Sequence, residues 1–136
     1  MASERDSEAK VAEFEAATGF DAPMSVRLAL LDEEIAEWNM AMADLLKEAA
    51  DIMYIGFGIH NAGGVECFRL PQATEVIRIM DVMTRIGADM DEAFDRVHAS
   101  NMSKLVDGKA LKREDGKILK GPKYLPPTLS DLAKEI

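Results

Sequence analysis

Apolar residues in this 136-residue chain recur at spacings of three and four, and strand-like alternation at a spacing of two is nearly absent. Spacings of three and four place side chains on one face of an α-helix, so the pattern predicts helices that bury one side. Ala, Leu, Met, Glu and Lys dominate most windows, and these residues favour helix. The sequence therefore predicts an all-α protein, a helical bundle of four to five main helices that forms one domain over residues 1–136.

Caps, glycines and prolines predict where the helices begin and end. The predicted helices run from about Ser3 to Thr18, from the cap Ser25 to about Met42, from the cap Asp44 to about Asn61, from Pro71 to about Ile86, from the cap Asp89 to about Asn101, and from Ser130 onward. The second of them carries an apolar stripe that we expect to face the core, formed by Met24, Leu28, Leu31, Ile35, Trp38 and Met42. Residues 105–127, rich in Gly, Lys, Asp and Pro, are predicted to form an extended basic loop.

Two pairs of acidic residues share the spacing E-x-x-[ED], namely Glu34 with Glu37 and Glu48 with Asp51. At this spacing two helical side chains lie on one face and can bind one ion. Four oxygen donors without histidine or cysteine suit Mg²⁺ or Mn²⁺. The second pair lies in an otherwise apolar run, so burial there would require a cation or a Lys or Arg partner. The alternative is a solvated helix face, because Glu is a common helix former.

The two acidic pairs can share an ion only if the chain folds back between them. On one straight helix Glu37 and Glu48 would be about 16 Å apart, which is too far. We therefore predict an antiparallel hairpin that turns between Ala41 and Asp44 and brings the pairs face to face.

Charge, apolar runs and cysteine count exclude several classes of protein. The net charge of −9 argues against general nucleic-acid binding. The longest apolar run, from Ile52 to Ile59, is far shorter than the roughly 20 residues that span a bilayer, so no membrane segment is expected. The lone Cys67 cannot form an internal disulfide and is expected to be an inert thiol in a reducing cytoplasm.

The positive charge is concentrated near the C-terminus. Residues 1–100 carry 8 basic and 20 acidic side chains, whereas residues 101–124 carry 7 basic and 3 acidic ones. This segment is interpreted either as an anion-binding loop or as a solvated tail. His98, which precedes it, has carboxylate-x-x-His spacing with Asp95, but a di-iron bundle needs two E-x-x-H copies, so we expect His98 to pack or cap.

The order of four motifs identifies a family resemblance. E-E-x-x-E is followed by E-x-x-D, then by N-M-S-K, and then by D-G-K-x-L-K-G-P-x-Y-x-P-P. Over about residues 30–129 the chain resembles the MazG-like nucleoside triphosphate pyrophosphohydrolases of the all-α superfamily, which includes helical dUTPases and phosphoribosyl-ATP pyrophosphohydrolases. The resemblance implies hydrolysis of a (deoxy)nucleoside triphosphate to nucleoside monophosphate and pyrophosphate in the cytoplasm.

The resemblance also implies roles for individual residues. Carried over by motif, the metal ligands for Mg²⁺, with Mn²⁺ as a substitute, are Glu34, Glu37, Glu48 and Asp51. Glu33 is implied as an additional ligand or as the catalytic group that orients or deprotonates the attacking water. The implied nucleotide contacts are Asn101, Lys104, Lys117, Lys120 and Tyr124.

One segment departs from the family pattern. The stretch from Cys67 to Gly87 stands where a shorter connection is expected. We expect this stretch to do one of three things: add a helix to the bundle, reshape the base pocket or alter subunit packing. The resemblance implies a homodimer or homotetramer. Two alternatives stay open: a phosphoribosyl-ATP pyrophosphohydrolase, and a non-catalytic helical module that binds a nucleotide or a partner.

Overall fold

A computed structural model describes residues 3–136, with the exception of the side chains of residues 65–67, so the side chain of Cys67 lies outside the described residues. The protein is all-α and 69% helical, as the sequence predicts, and the described residues include no strand. The helices are α1 (Glu4–Thr18), α2 (Met24–Gly63), a 3₁₀ helix (Gly64–Arg69), α3 (Pro71–Arg85), α4 (Met90–Met102) and α5 (Ser130–Ala133). None of the helices in the described range has both the length and the apolar character of a membrane span.

The long helix α2 corrects the predicted hairpin. It runs for 40 residues without interruption, so no turn lies between Ala41 and Asp44. Asp44 is an exposed residue inside the helix rather than a cap, and the helix begins at Met24, so Ser25 is not its N-cap. The segment from Met40 to Ala50 consists mostly of strong helix formers, so a single capping residue does not end the helix there.

The other predicted helix ends are confirmed. Ser3 caps α1 by accepting a hydrogen bond from the N–H of Asp6, and Gly19 ends the helix at φ 70°. The Asp89 carboxylate accepts the N–H of Glu92 at 3.1 Å and caps α4. Pro71 occupies the first turn of α3, where its missing N–H costs nothing.

The chain divides into two compact units, Met1–Ala36 and Glu37–Ile136. In the first unit Arg27 of α2 forms an ion pair with Glu15 of α1 and stacks over the Phe20 ring at 4.9 Å. The predicted apolar stripe is not buried there, which corrects our expectation for Met24, Leu28, Leu31 and Ile35. Of the six stripe residues only Met42, in the second unit, is buried.

The hydrophobic core lies in the second unit. Small and medium side chains from α2, α3, α4 and the C-terminal segment form it: Met42, Leu46, Ala49, Ala50, Met83, Ala93, Val97, Leu129, Leu132 and Ala133. Four of the ten are alanines, so the elements can approach one another closely. The segment from Cys67 to Gly87 contributes α3 to this core through Met83, which confirms that it adds a helix.

The C-terminal segment is attached to α4 by one arginine. Arg96 donates to both carboxylate oxygens of Asp131, at 2.6 and 2.9 Å, and to the carbonyl oxygen of Thr128 at 3.0 Å. This arginine holds the pKa of Asp131 below its ordinary value of 3.8, chiefly through the hydrogen bond. The attachment places Leu132 and Ala133 in the core.

The attachment of α5 is expected to weaken in acid. Because the folded pKa of Asp131 is lower than the unfolded one, its contribution is present above about pH 4 and is lost as pH falls through the folded value. Amide exchange at Ala133, measured by NMR between pH 5 and pH 2 and corrected for intrinsic rates, should therefore lose protection towards pH 2. The variant Asp131→Asn should show low protection throughout. An equal pH response in the two proteins would contradict this.

Candidate functional site

The two acidic pairs do not form a metal site within one chain. Glu37 and Glu48 lie eleven residues apart on one helix, which corresponds to about 16 Å. Among the described residues no group of three or more carboxylate, histidine or cysteine side chains could hold a metal ion. The predicted meeting of the pairs across a hairpin is therefore wrong, and a single chain does not bring the four carboxylates to one ion.

The acidic residues of α2 in the second unit point away from the core. Leu46 is fully buried, and Glu37 and Glu48 lie about 180° and 160° from it around the helix. The Glu48 side chain is 68% exposed and that of Asp51 is 35% exposed. The expectation that both would be buried in an apolar run is thus wrong for Glu48, and Asp51 is only partly shielded.

Lys47 balances part of this acidic charge. Its Nζ lies 2.8 Å from Asp51 Oδ2 and 3.4 Å from Glu48 Oε1, so the predicted cationic partner is present. The hydrogen bond to Asp51 raises the pKa of Lys47 above its ordinary value. Because the side chains are partly exposed, the pair stabilises the helix by only about 0.5 kcal/mol.

Aromatic contacts fix how α2 lies against α4. Tyr54 stacks on His98 and on Phe94, with ring centroids 5.9 and 5.4 Å apart, and Phe57 meets Phe94 edge-on at 5.7 Å. Tyr54 contacts Phe94 and His98, whereas Phe57, which comes later in α2, contacts Phe94, which comes earlier in α4 than His98. The two helices are therefore antiparallel. The Tyr54 hydroxyl and His98 Nδ1 are 3.0 Å apart, at hydrogen-bond distance.

This register brings the E-x-x-D and N-x-x-K motifs level. Asp51 lies three residues before Tyr54, and Asn101 lies three residues after His98, so both are about 4.5 Å along the axis from the same contact. Glu48 lies one turn before Asp51 on α2, and Lys104 follows Asn101 two residues beyond the end of α4 at Met102. The helix register thus sets Asp51 and Asn101, which are 50 residues apart in sequence, at the same level along the two helices.

Two serines dock the tail onto the end of α4. Ser100 Oγ donates to the carbonyl oxygen of Leu125 at 2.7 Å, and the N–H of Leu125 donates to Ser103 Oγ at 2.9 Å. Gly121 packs so closely that an added Cβ would lie 2.7 Å from the carbonyl oxygen of Lys104. The glycine of the G-P-x-Y motif is therefore required by the close approach of two backbone segments.

The docked tail places Tyr124 between two lysines. Lys120 Nζ lies 4.9 Å and Lys104 Nζ 5.9 Å from the centre of the tyrosine ring. Neither lysine forms an ion pair with a residue in the part of the chain that the structure describes. Their charges are therefore available to an anion such as a phosphate group.

The other predicted site residues are Glu33, Glu34, Glu37 and Lys117. Glu33 and Glu34 belong to the first unit, and Glu37 is more than two helical turns from Glu48. Lys117 lies in a turn closed by the bridge between Lys112 and Ile118, where its N–H donates to Asp115. We call the remaining set the α2–α4 cluster: Glu48, Asp51, Asn101, Lys104, Lys120 and Tyr124.

Sequence reasoning missed the residues that hold the cluster together. Tyr54 and His98 are 44 residues apart, and nothing in their local sequence indicates a contact. Ser100 precedes the N-M-S-K motif and Ser103 belongs to it, and their i, i+3 spacing at the end of α4 is the signal that could have indicated a docking point.

An apolar cavity of about 310 Å³ lies elsewhere in the second unit, between the C-terminal part of α2, the 3₁₀ helix and α3. Met53 and Phe57 of α2, Phe68, and Val76 and Met80 of α3 line it. None of the predicted site residues lines this cavity. It is therefore distinct from the α2–α4 cluster.

Comparison of the chain with protein-family models, with curated proteins and with solved structures finds no match.

Proposed function

We propose that this protein hydrolyses a (deoxy)nucleoside triphosphate to a nucleoside monophosphate and pyrophosphate, with Mg²⁺ or Mn²⁺ as cofactor, in the cytoplasm. The observation that supports this proposal is the α2–α4 register, in which Asp51 of α2 is level with Asn101 of α4. Carboxylates, an amide and lysines can together bind a polyphosphate and its counter-cation, and Lys104 and Lys120 form no ion pair with a described residue.

The cluster offers a distinct role to each group. Lys104 and Lys120 attract and orient phosphate oxygens, because an ammonium group donates up to three charge-assisted hydrogen bonds. The Asn101 amide can donate to a phosphate or ribose oxygen and accept from a hydroxyl. Tyr124 holds both lysines near its ring face, so the two positive charges converge on one place.

A second copy of the chain would supply the carboxylates that one copy lacks. The pairs Glu37 with Glu48 and Glu34 with Asp51 have the same midpoint in the sequence, between Met42 and Ala43. A two-fold axis at that midpoint would set two α2 helices antiparallel, with Glu37 level with Glu48 of the partner subunit, because an isologous contact pairs each position with its mirror position.

Apolar residues on the same helix support such a contact. Met40 and Leu45, which are 68% and 43% exposed, are also symmetric about the midpoint. Met40 of one copy would meet Leu45 of the partner subunit, beside the acidic residues. The exposed Met24, Leu28 and Leu31 are further apolar surface on α2, and exposed apolar surface is typical of an interface. The proposal therefore includes a homodimer, with a homotetramer as the larger assembly.

The direct test is pyrophosphate release across a panel of ribo- and deoxyribonucleoside triphosphates and phosphoribosyl-ATP. Each substrate should be assayed with Mg²⁺, with Mn²⁺ and with a chelator. We expect turnover of at least one substrate that depends on the cation, with nucleoside monophosphate as the second product. A folded, cation-loaded protein that is inactive on every substrate would overturn the proposal. Selective turnover of phosphoribosyl-ATP would identify the narrower activity.

One observation favours a second candidate, a non-catalytic helical module that binds a nucleotide or a partner. Lys47 pairs with both Glu48 and Asp51, as expected where acidic residues serve the helix itself. This candidate predicts that a non-hydrolysable triphosphate binds without a cation and that the carboxylates of α2 are dispensable for binding. Calorimetric titration with and without a chelator distinguishes it from the enzyme.

A further inference from the structure

Tyr54 and His98 form a polar contact at the edge of the apolar interface between α2 and α4. Their 3.0 Å contact is a side-chain hydrogen bond between α2 and α4. The core residues around it, Ala49 and Ala50 of α2 and Ala93 of α4, are small and carry no directional groups. Dispersion contacts between small apolar surfaces tolerate sliding, whereas a hydrogen bond weakens steeply with distance and angle.

The Tyr54–His98 contact lies next to the α2–α4 cluster. Asp51 and Asn101 are each about one helical turn from it, on α2 and α4 respectively. A shift of α4 along α2 by a fraction of a turn would therefore move Asn101 out of level with Asp51. Tyr54 is partly buried and His98 is exposed, so the contact is held at the edge of the interface, close to the cluster.

We propose that His98 is a positioning residue: its Nδ1, hydrogen-bonded to the Tyr54 hydroxyl, keeps Asp51 of α2 level with Asn101 of α4. The inference rests on the proposed hydrolase function. It assigns His98 no contact with the substrate. The ring atom that matters is Nδ1, and Nε2, which makes no hydrogen bond to any described residue, is dispensable.

The two ring nitrogens can be separated by substitution. Asparagine at position 98 places its amide group near the position of Nδ1, whereas glutamine places its amide group near that of Nε2. Tyr54→Phe removes the hydroxyl alone and keeps the ring stacking. The variants to compare are Tyr54→Phe, His98→Asn, His98→Gln and the double variant Tyr54→Phe with His98→Gln.

The readouts are kcat and KM for the best triphosphate of the panel, together with the affinity for its non-hydrolysable analogue. We expect Tyr54→Phe and His98→Gln each to lower kcat/KM about tenfold, the scale of loss for residues that orient ligand groups. His98→Asn should keep most of the wild-type value. The double variant should be no worse than either single one, because both remove the same hydrogen bond. Urea unfolding of each variant serves as the control for folding.

Other outcomes would overturn the inference. Wild-type kinetics in Tyr54→Phe would show that the hydrogen bond does not position the cluster. Retained activity in His98→Gln with loss in His98→Asn would assign a direct role to Nε2 instead. Multiplicative losses in the double variant would mean that the two residues act separately. These results leave the proposed function intact, whereas a wild-type protein that neither hydrolyses nor binds any triphosphate would overturn both.

Discussion

Replacing Asp51 by asparagine is expected to lower the rate of triphosphate hydrolysis about a hundredfold, the upper range for residues that tune a bound cation. Asparagine has the shape of aspartate but lacks the charge that would attract a cation, and Asp51 is the carboxylate that lies level with Asn101. The fold should survive, because the lost ion pair with Lys47 is partly exposed and contributes about 0.5 kcal/mol. Pyrophosphate release under saturating Mg²⁺ measures the effect, and circular dichroism checks the helix content.

Asp44→Asn is the matched control for this prediction. Asp44 lies on the same helix, is exposed and loses the same charge, but it belongs to neither E-x-x-[ED] pair. It should keep most of the wild-type rate. If the two variants lose activity equally, the effect is one of overall charge and Asp51 has no special role.

Replacing Ala41 by proline is expected to lower the free energy of unfolding by about 3 kcal/mol or more. The residue lies in the interior of α2, where proline removes a backbone hydrogen bond and its ring clashes with the preceding turn. Ala41 is exposed, so the substitution disturbs the helix and leaves the core side chains in place. Urea unfolding monitored by circular dichroism gives the free energy directly.

The control for the proline variant is Ala41→Gly, which keeps the N–H and should cost about 1 kcal/mol. The comparison distinguishes a continuous α2 from a helical hairpin that turns at this point. In a turn, proline and glycine are common and would cost little. A proline variant as stable as wild type would therefore contradict the continuous helix and restore the single-chain meeting of the acidic pairs.

Most helix ends could be predicted because they depend on neighbouring residues. Ser3 and Asp89 bond to N–H groups three residues ahead, and Gly19 adopts the positive φ that ends α1. These interactions span a few residues, so the sequence pattern contains them completely. The i, i+3 spacing of the acidic pairs is equally local, and each pair does share one helix face.

The failed predictions concern choices that local signals leave open. Asp44 is a good capping residue, but the segment around it is also rich in strong helix formers, so both a turn and a continuous helix agree with the local sequence. In the structure α2 is continuous through this segment. Met42, Leu46, Ala49 and Ala50 then lie on one face and are buried together in the core of the second unit.

The sequence by itself determined the all-helical class, the positions of most helix ends and the concentration of positive charge in residues 101–124, because each follows from composition or from contacts within a few residues. Tertiary structure alone decided which motifs lie level with each other. Tyr54 and His98, 44 residues apart, set the register that brings Asp51 level with Asn101. Such a contact depends on how two helices pack, and packing is a property of the buried surfaces together rather than of either segment.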